Sequence, residues 1–90
     1  MDVTGSMTVA ELEQIADPRV VDARGSACPG PLLEAKKGIA TVPVGGVIEI
    51  WSSDPGTKAD VSVWSAKVGH GFLGVLAADG YDRVFVRRAK

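Results

Sequence analysis

Helical and strand periodicities alternate along this chain in an order that leaves few folds open. Thr8-Val9-Ala10-Glu11 forms a capping box, a hydroxyl followed three residues later by Glu. Val9, Leu12, Ile15 and Ala16 then recur at roughly helical spacing, which predicts a short helix over 9–16. Asp17-Pro18 stops it, and so short a helix must dock or fray. Val20-Val21-Asp22-Ala23 reads as a first strand, and 25–31 as a loop rich in Gly and Pro. Pro31 suits the first turn of a helix, where its missing N–H costs nothing. That helix runs to Thr41, with Leu32, Leu33, Ile39 and Ala40 expected on one face. Gly38 weakens it by roughly 0.5–1 kcal/mol relative to Ala. Lys36 and Lys37 lie in its later half, where cations suit the dipole.

Pro43-Val44-Gly45-Gly46 is a connector, and 47–52 a second strand. Ile48 and Ile50 point one way, and Val47, Glu49 and Trp51 the other. Ser53-Asp54-Pro55-Gly56-Thr57 carries helix-start signals ahead of Lys58. Val61, Trp64 and Val68 form a stripe on this second long helix, and Gly69 is placed to end it. Strands follow at 72–78 and 81–88, with Val84 and Val86 on one face of the last and Arg83, Phe85 and Arg87 on the other. Asp79-Gly80 between them is a hairpin signal of the type I′ kind, which needs positive φ at both central positions. The order is (α)-βαβαββ. Two helices cover one face of a four-stranded sheet, so the expected class is α/β (α+β), a two-layer sandwich with a mixed sheet, an open sheet face and a short extra N-terminal helix.

Composition narrows the function classes. Ninety residues make one domain, read as an extension over 1–18 and a main unit over 19–90. A chain this short buries only roughly 60–65% of its unfolded surface, in one modest core. A 46% apolar and 23% charged composition is that of a globular protein. The single cysteine excludes an internal disulfide, a CxxC redox pair and a multi-cysteine zinc site, and it fits a reducing cytoplasm. A net charge of −1 argues against direct nucleic-acid binding by bulk electrostatics. Arg83, Arg87 and Arg88 read as a solvated strand end. No apolar run approaches the ~18 residues of a membrane span, and the first residues lack the pattern of a signal peptide.

Gly69-His70-Gly71-Phe72-Leu73-Gly74 matches GxGxxG by letter only. The dinucleotide motif needs a strand before it and a helix after it, and here the order is reversed, so the glycines are read as a helix stop and a tight turn. His70, the one imidazole, is a possible general base, but no second catalytic partner stands at a defined spacing. It reads as a turn residue. Cys28-Pro29-Gly30-Pro31 stands out, between a strand and a helix. A sulfur at a helix N-terminus meets unsatisfied N–H groups and the positive dipole end, and comparable sites lower a thiol pKa to about 3.5–7.5. The prolines stiffen the loop, Gly30 leaves room for an approaching sulfur, and Arg24 is close enough in sequence to add positive potential. A buried cysteine acting as a small hydrophobe is the competing reading.

Val21-Asp22-Ala23-Arg24-Gly25, then Ala27-Cys28-Pro29-Gly30-Pro31, then Lys36-Lys37, resembles the signature of the TusA (SirA-like) sulfur-carrier family. The stretch from Asp54 through Lys58 and Asp60 to Val61 is similar to the segment that opens the family's second helix. The resemblance covers about residues 20–88 and implies the same βαβαββ sandwich. It implies that Cys28 holds sulfane sulfur as a persulfide, taken from a donor protein of rhodanese, DsrE or desulfurase type and passed to an acceptor, with no metal or organic cofactor. Pathways so served include sulfur oxidation, tRNA thiolation and cofactor synthesis. Amides near Pro31 to Leu33 are expected to face the sulfur. Lys36, Lys37, Asp54, Lys58 and Asp60 are candidates for partner recognition. Where many relatives carry a Pro and a second Cys in the second helix, this chain has Ser62 and Ser65, so a two-cysteine relay is not expected. The rival expectation is a non-catalytic regulatory or interaction module on the same fold, using an open-face patch of Trp51 and Phe85.

Overall fold

The computed structural model describes residues 7–27 and 29–90. The elements are α1 (Val9–Glu13), β1 (Arg19–Asp22), α2 (Gly30–Ile39), β2 (Val47–Ser52), α3 (Thr57–Val68), β3 (Gly71–Ala78) and β4 (Tyr81–Arg87). The four strands form one mixed sheet in the order β1-β2-β4-β3. β1 runs parallel to β2, with Val21 opposite Ile50, and α2 is the crossover between them. β4 is antiparallel to both β2 and β3 and fills the gap that the α3 crossover leaves between them.

The faces of the strands follow the period of two. Ile48, Ile50, Val84 and Val86 are all fully buried and meet α2 and α3 in the main core, with Ala35, Ile39 and Val61. Burying each such side chain contributes roughly 1.5–3 kcal/mol. The helices seat themselves differently from the expected stripes. On α2 the buried residues are Pro31, Ala35, Gly38 and Ile39, while Leu33 is half exposed and Ala40 exposed. On α3 they are Thr57, Val61 and Ser65, with Trp64 partly buried and Val68 exposed. Gly38 explains the shift. A Cβ there would lie 2.6 Å from Val21 Cγ2, so α2 turns its bare backbone to β1.

α1 stops earlier than expected. Its capping box forms, Thr8 N donating to Glu11 Oε1 at 2.9 Å and Glu11 N to Thr8 Oγ1 at 3.3 Å. Past Glu13, Gln14 N and Ile15 N donate to the carbonyls three residues back, and Asp17 at φ 49° turns the chain toward β1. The helix docks on the face expected to be open. Leu12, Leu73, Leu76 and Phe85 form a second core there, with Met7, Ile15 and Val47 packed against it. Phe85 is 1% exposed, so the expected Trp51–Phe85 surface patch does not exist. Gly74 makes the seat. β3 bulges between Phe72 and Gly74, Gly74 has φ 149°, and a Cβ on it would meet Leu12 Cδ1 at 2.9 Å.

The β3–β4 hairpin pairs Ala78 with Tyr81, as Asp79-Gly80 predicts. Its turn is not type I′. Gly80 has φ 83°, but Asp17 is the only described non-glycine residue with positive φ, so Asp79 stays in ordinary backbone space.

Candidate functional site

β1 delivers the chain into the loop that carries the cysteine. Cys28 itself lies outside the described residues; its flanks are defined. Ala23 is buried, and its amide donates to the Trp51 carbonyl at 2.9 Å, which extends the β1–β2 pairing by one residue. Gly25 takes φ 86°, and its amide donates to Ser53 Oγ at 2.9 Å. Ser26 N donates to Ala23 O at 3.2 Å, and Gly30 N to Ala27 O at 2.8 Å. Pro29, the N-cap of α2, has φ −92° and ψ 12° and is exposed, while Pro31 is buried in the first turn. Gly30 lets the loop fold back closely: a Cβ on it would stand 3.1 Å from Ser26 Cβ. Leu33 N donates to Pro29 O at 3.0 Å, so this amide is engaged within the helix rather than turned to a sulfur. What this end of α2 supplies electrostatically is its dipole.

Arg24 is held by Asp22 and two aromatic rings. Its Nε and NH2 donate to the Asp22 carboxylate at 2.9 and 2.8 Å. The guanidinium lies over the rings of Trp51 (4.8 Å) and Tyr81 (5.0 Å), which are themselves 5.5 Å apart. Side-chain and backbone hydrogen bonds from Arg24 hold the Asp22 carboxyl well below its ordinary range, at about 2. Asp22 and Trp51 alternate with Val21 and Ile50, so this cluster is on the sheet face opposite α2. Next to it Glu49 is buried on the same face. It accepts from Trp51 Nε1 at 2.5 Å and from Arg83 Nε at 2.7 Å.

The β2–α3 loop lies against the cysteine loop. Gly25, Ser26, Ala27, Ser53 and Asp54 line an open depression of about 270 Å³ between the two. Asp54 Oδ1 accepts from Gly56 N at 2.9 Å, shaping the turn that starts α3. Lys58 Nζ donates to Pro55 O at 3.0 Å and to Asp82 Oδ2 at 3.2 Å. Asp60 is in the first turn of α3, half-buried. Lys36 and Lys37 are exposed in the last turn of α2, Lys37 Nζ standing 3.6 Å from Glu34 Oε1. The structure therefore brings Asp54 beside the cysteine loop and leaves the two lysines of α2 at the far end of that helix. His70 has a structural place: Nδ1 accepts from Ala89 N at 3.0 Å, and the ring lies 5.7 Å from Trp64.

The profile of the family described as Sulfurtransferase TusA matches residues 19–88. The chain belongs to the TusA family. It is 45% identical over 71 residues to a protein of Archaeoglobus fulgidus provisionally named a sulfur carrier protein, covering 79% of this chain and 97% of that one. It is 25% identical over 77 residues to the sulfur carrier protein TusA of Pseudomonas savastanoi pv. phaseolicola, covering 86% of this chain and 92% of that one. Among solved structures, a SirA-like protein from Desulfitobacterium hafniense superposes with a TM-score of 0.68 at 25% identity, over 79% of this chain and 97% of its own. No described helix is long and apolar enough to cross a membrane.

Two features of this TusA-family site were not legible in the sequence. Ser53 reaches the cysteine loop across 28 positions, and Tyr81 closes over Arg24 from the far end of the chain. Neither pairing has a local signal, because each depends on which strands become neighbours.

Proposed function

We propose that this protein is a sulfur carrier that holds sulfane sulfur as a persulfide on Cys28 and passes it to a partner protein. One observation carries the reading: a chain of the TusA family, with relatives named as sulfur carriers, has one thiol, directly ahead of the first residues of α2. The chemistry is a pair of balanced displacements. The Cys28 thiolate attacks the outer sulfur of a donor persulfide; the donor's S–S bond breaks, and its electron pair leaves with the donor thiolate. The proton stays on the transferred sulfur. An acceptor thiolate then attacks that sulfur, and Cys28 departs as a thiolate. A stabilised thiolate is the better leaving group in the second step, and the dipole of α2 acts in that direction. The donor and acceptor are proteins, with rhodanese-, DsrE- or desulfurase-type proteins as donors; Asp54, Lys58, Asp60, Lys36 and Lys37 are the candidate contacts.

Incubation with polysulfide followed by intact-mass measurement tests this. The expected product is one adduct of about 32 Da, removed by dithiothreitol and absent in Cys28→Ser. A wild-type protein that stays unmodified, or a Cys28→Ser variant that gains the same mass, sinks the proposal.

A further inference from the structure

We propose that Ser53 is a positioning residue for Cys28, acting through Gly25; the inference rests on the carrier reading for its purpose but not for its geometry. A side-chain bond joins the two loops, from Gly25 N to Ser53 Oγ at 2.9 Å. On one side of that bond stands a braced support. Ser52 Oγ and Thr57 Oγ1 are 2.7 Å apart in the buried interior, and Asp54 N donates to Ser52 Oγ at 3.1 Å. Thr57 N donates to Asp54 O at 3.2 Å, and Gly56 N to Asp54 Oδ1. The β2–α3 loop is thus tied to the first turn of α3 on both its hydroxyl and its carboxylate.

On the other side stands the loop between β1 and α2, where Ser26 N donates to Ala23 O and Gly30 N to Ala27 O. Gly25 takes φ 86°, and a Cβ built on it would meet nothing within 4 Å, so no neighbour stands against that side of the residue. Glycine has the widest backbone freedom of any residue, so a loop hinged there needs a pin. Ser53 Oγ is that pin. Downstream, Ser26 closes against Gly30 at the start of α2, so the chain between Gly25 and the helix is short and returns on itself. Whatever sets Gly25 also sets the entry to Ala27-Cys28-Pro29. Ser53 itself is exposed and stands in the depression between the loops.

The test uses the full chain with Ser53→Ala, Ser53→Val and Ser53→Thr. Thr keeps the acceptor oxygen, and Val keeps the bulk of Thr without it. Two readouts are taken by intact mass: the rate of iodoacetamide alkylation of Cys28 against pH, and the rate of polysulfide loading. Ser53→Ala and Ser53→Val are expected to slow both by about three- to tenfold, the range of one lost hydrogen bond, with the alkylation midpoint moving toward the free-thiol ~8.5. Ser53→Thr is expected to restore both, while thermal melting of Ser53→Ala and Ser53→Val falls by no more than the several degrees that one hydrogen bond accounts for. Alkylation of Ser53→Ala that overlays wild type at every pH overturns the inference, as does a Thr variant as slow as Val. If wild type gains no sulfur at all, the carrier reading fails, and the alkylation profiles still decide the role of Ser53.

Discussion

Asp22 carries the most perturbed ionisation among the described residues. Two hydrogen bonds from the Arg24 side chain and one from its amide favour the charged form and bring the carboxyl down from 3.8 to about 2. A carboxyl lowered on folding contributes stability above its unfolded value, and that contribution is lost as pH falls through the folded one. The pair therefore persists from neutral pH down to about 3 and breaks only near 2. An NMR titration is expected to show the Asp22 midpoint at about 2, and Arg24→Ala to return it to the ordinary carboxylate range near ~3.9. A midpoint of Asp22 that ignores Arg24→Ala would contradict the assignment. At this scale, the sequence marked Pro31 for the first turn of a helix, which the structure bears out, but it read 25–31 as loop, whereas α2 already begins at Gly30. It read Arg24 as a source of positive potential, and the structure adds that the guanidinium pairs with Asp22 and stacks on Trp51 and Tyr81. A residue four positions from a site by sequence can point to the opposite face of a sheet, and only cross-strand neighbours decide which.

Among the elements, α2 shows most plainly how packing overrides local preference. Gly38 lowers intrinsic helix stability, yet the contact with Val21 requires it. Replacing it with Ala improves propensity by at most about 1 kcal/mol, against an overpacking cost of typically 1–3 kcal/mol. Gly38→Ala is expected to lower unfolding free energy by about 1 kcal/mol in a urea titration; a gain in stability would show that α2 can lift off β1 freely. The same close approach explains why Ala35 and Gly38, rather than Leu33, form the buried stripe. Sequence periodicity weights large apolar residues, whereas the space between α2 and β1 admits only small ones. Strand faces were far more legible. The alternation of Ile48 and Ile50 with Glu49 and Trp51 has one solution once one face is buried. The Asp79-Gly80 turn was legible as a hairpin but not as a turn type, because Gly80 alone supplies positive φ.

Across the whole molecule, the fold is a sheet covered fully on one face by α2 and α3 and partly on the other by α1. The second cover turns Phe85 from a surface aromatic into a core residue and leaves Trp51 and Tyr81 half-buried beneath the exposed Arg24 on that face. Leu12, 3% exposed, is the contact through which α1 holds on. Leu12→Ala is expected to cost about 2–3 kcal/mol, and at roughly 4–8 °C per kcal/mol for a domain this size the melting temperature falls by about 10 °C or more. A melting temperature within about 2 °C of wild type would mean that α1 contributes no packing energy to the sheet.

The order of elements, the faces of the strands, the place of Pro31 in the first turn of α2 and the end of α3 at Gly69 all lay in the sequence itself. Each depends on neighbours a few residues apart, through backbone period, proline and glycine geometry, or capping. The tertiary structure alone decided that α1 seats on Phe85 through Gly74, that Gly38 must be bare against Val21, that Arg24 is paired away from α2, and that Ser53 reaches Gly25. All four are contacts between segments far apart in the chain. They exist only after β4 has entered between β2 and β3 and closed the sheet, because that step fixes which side chains share a face.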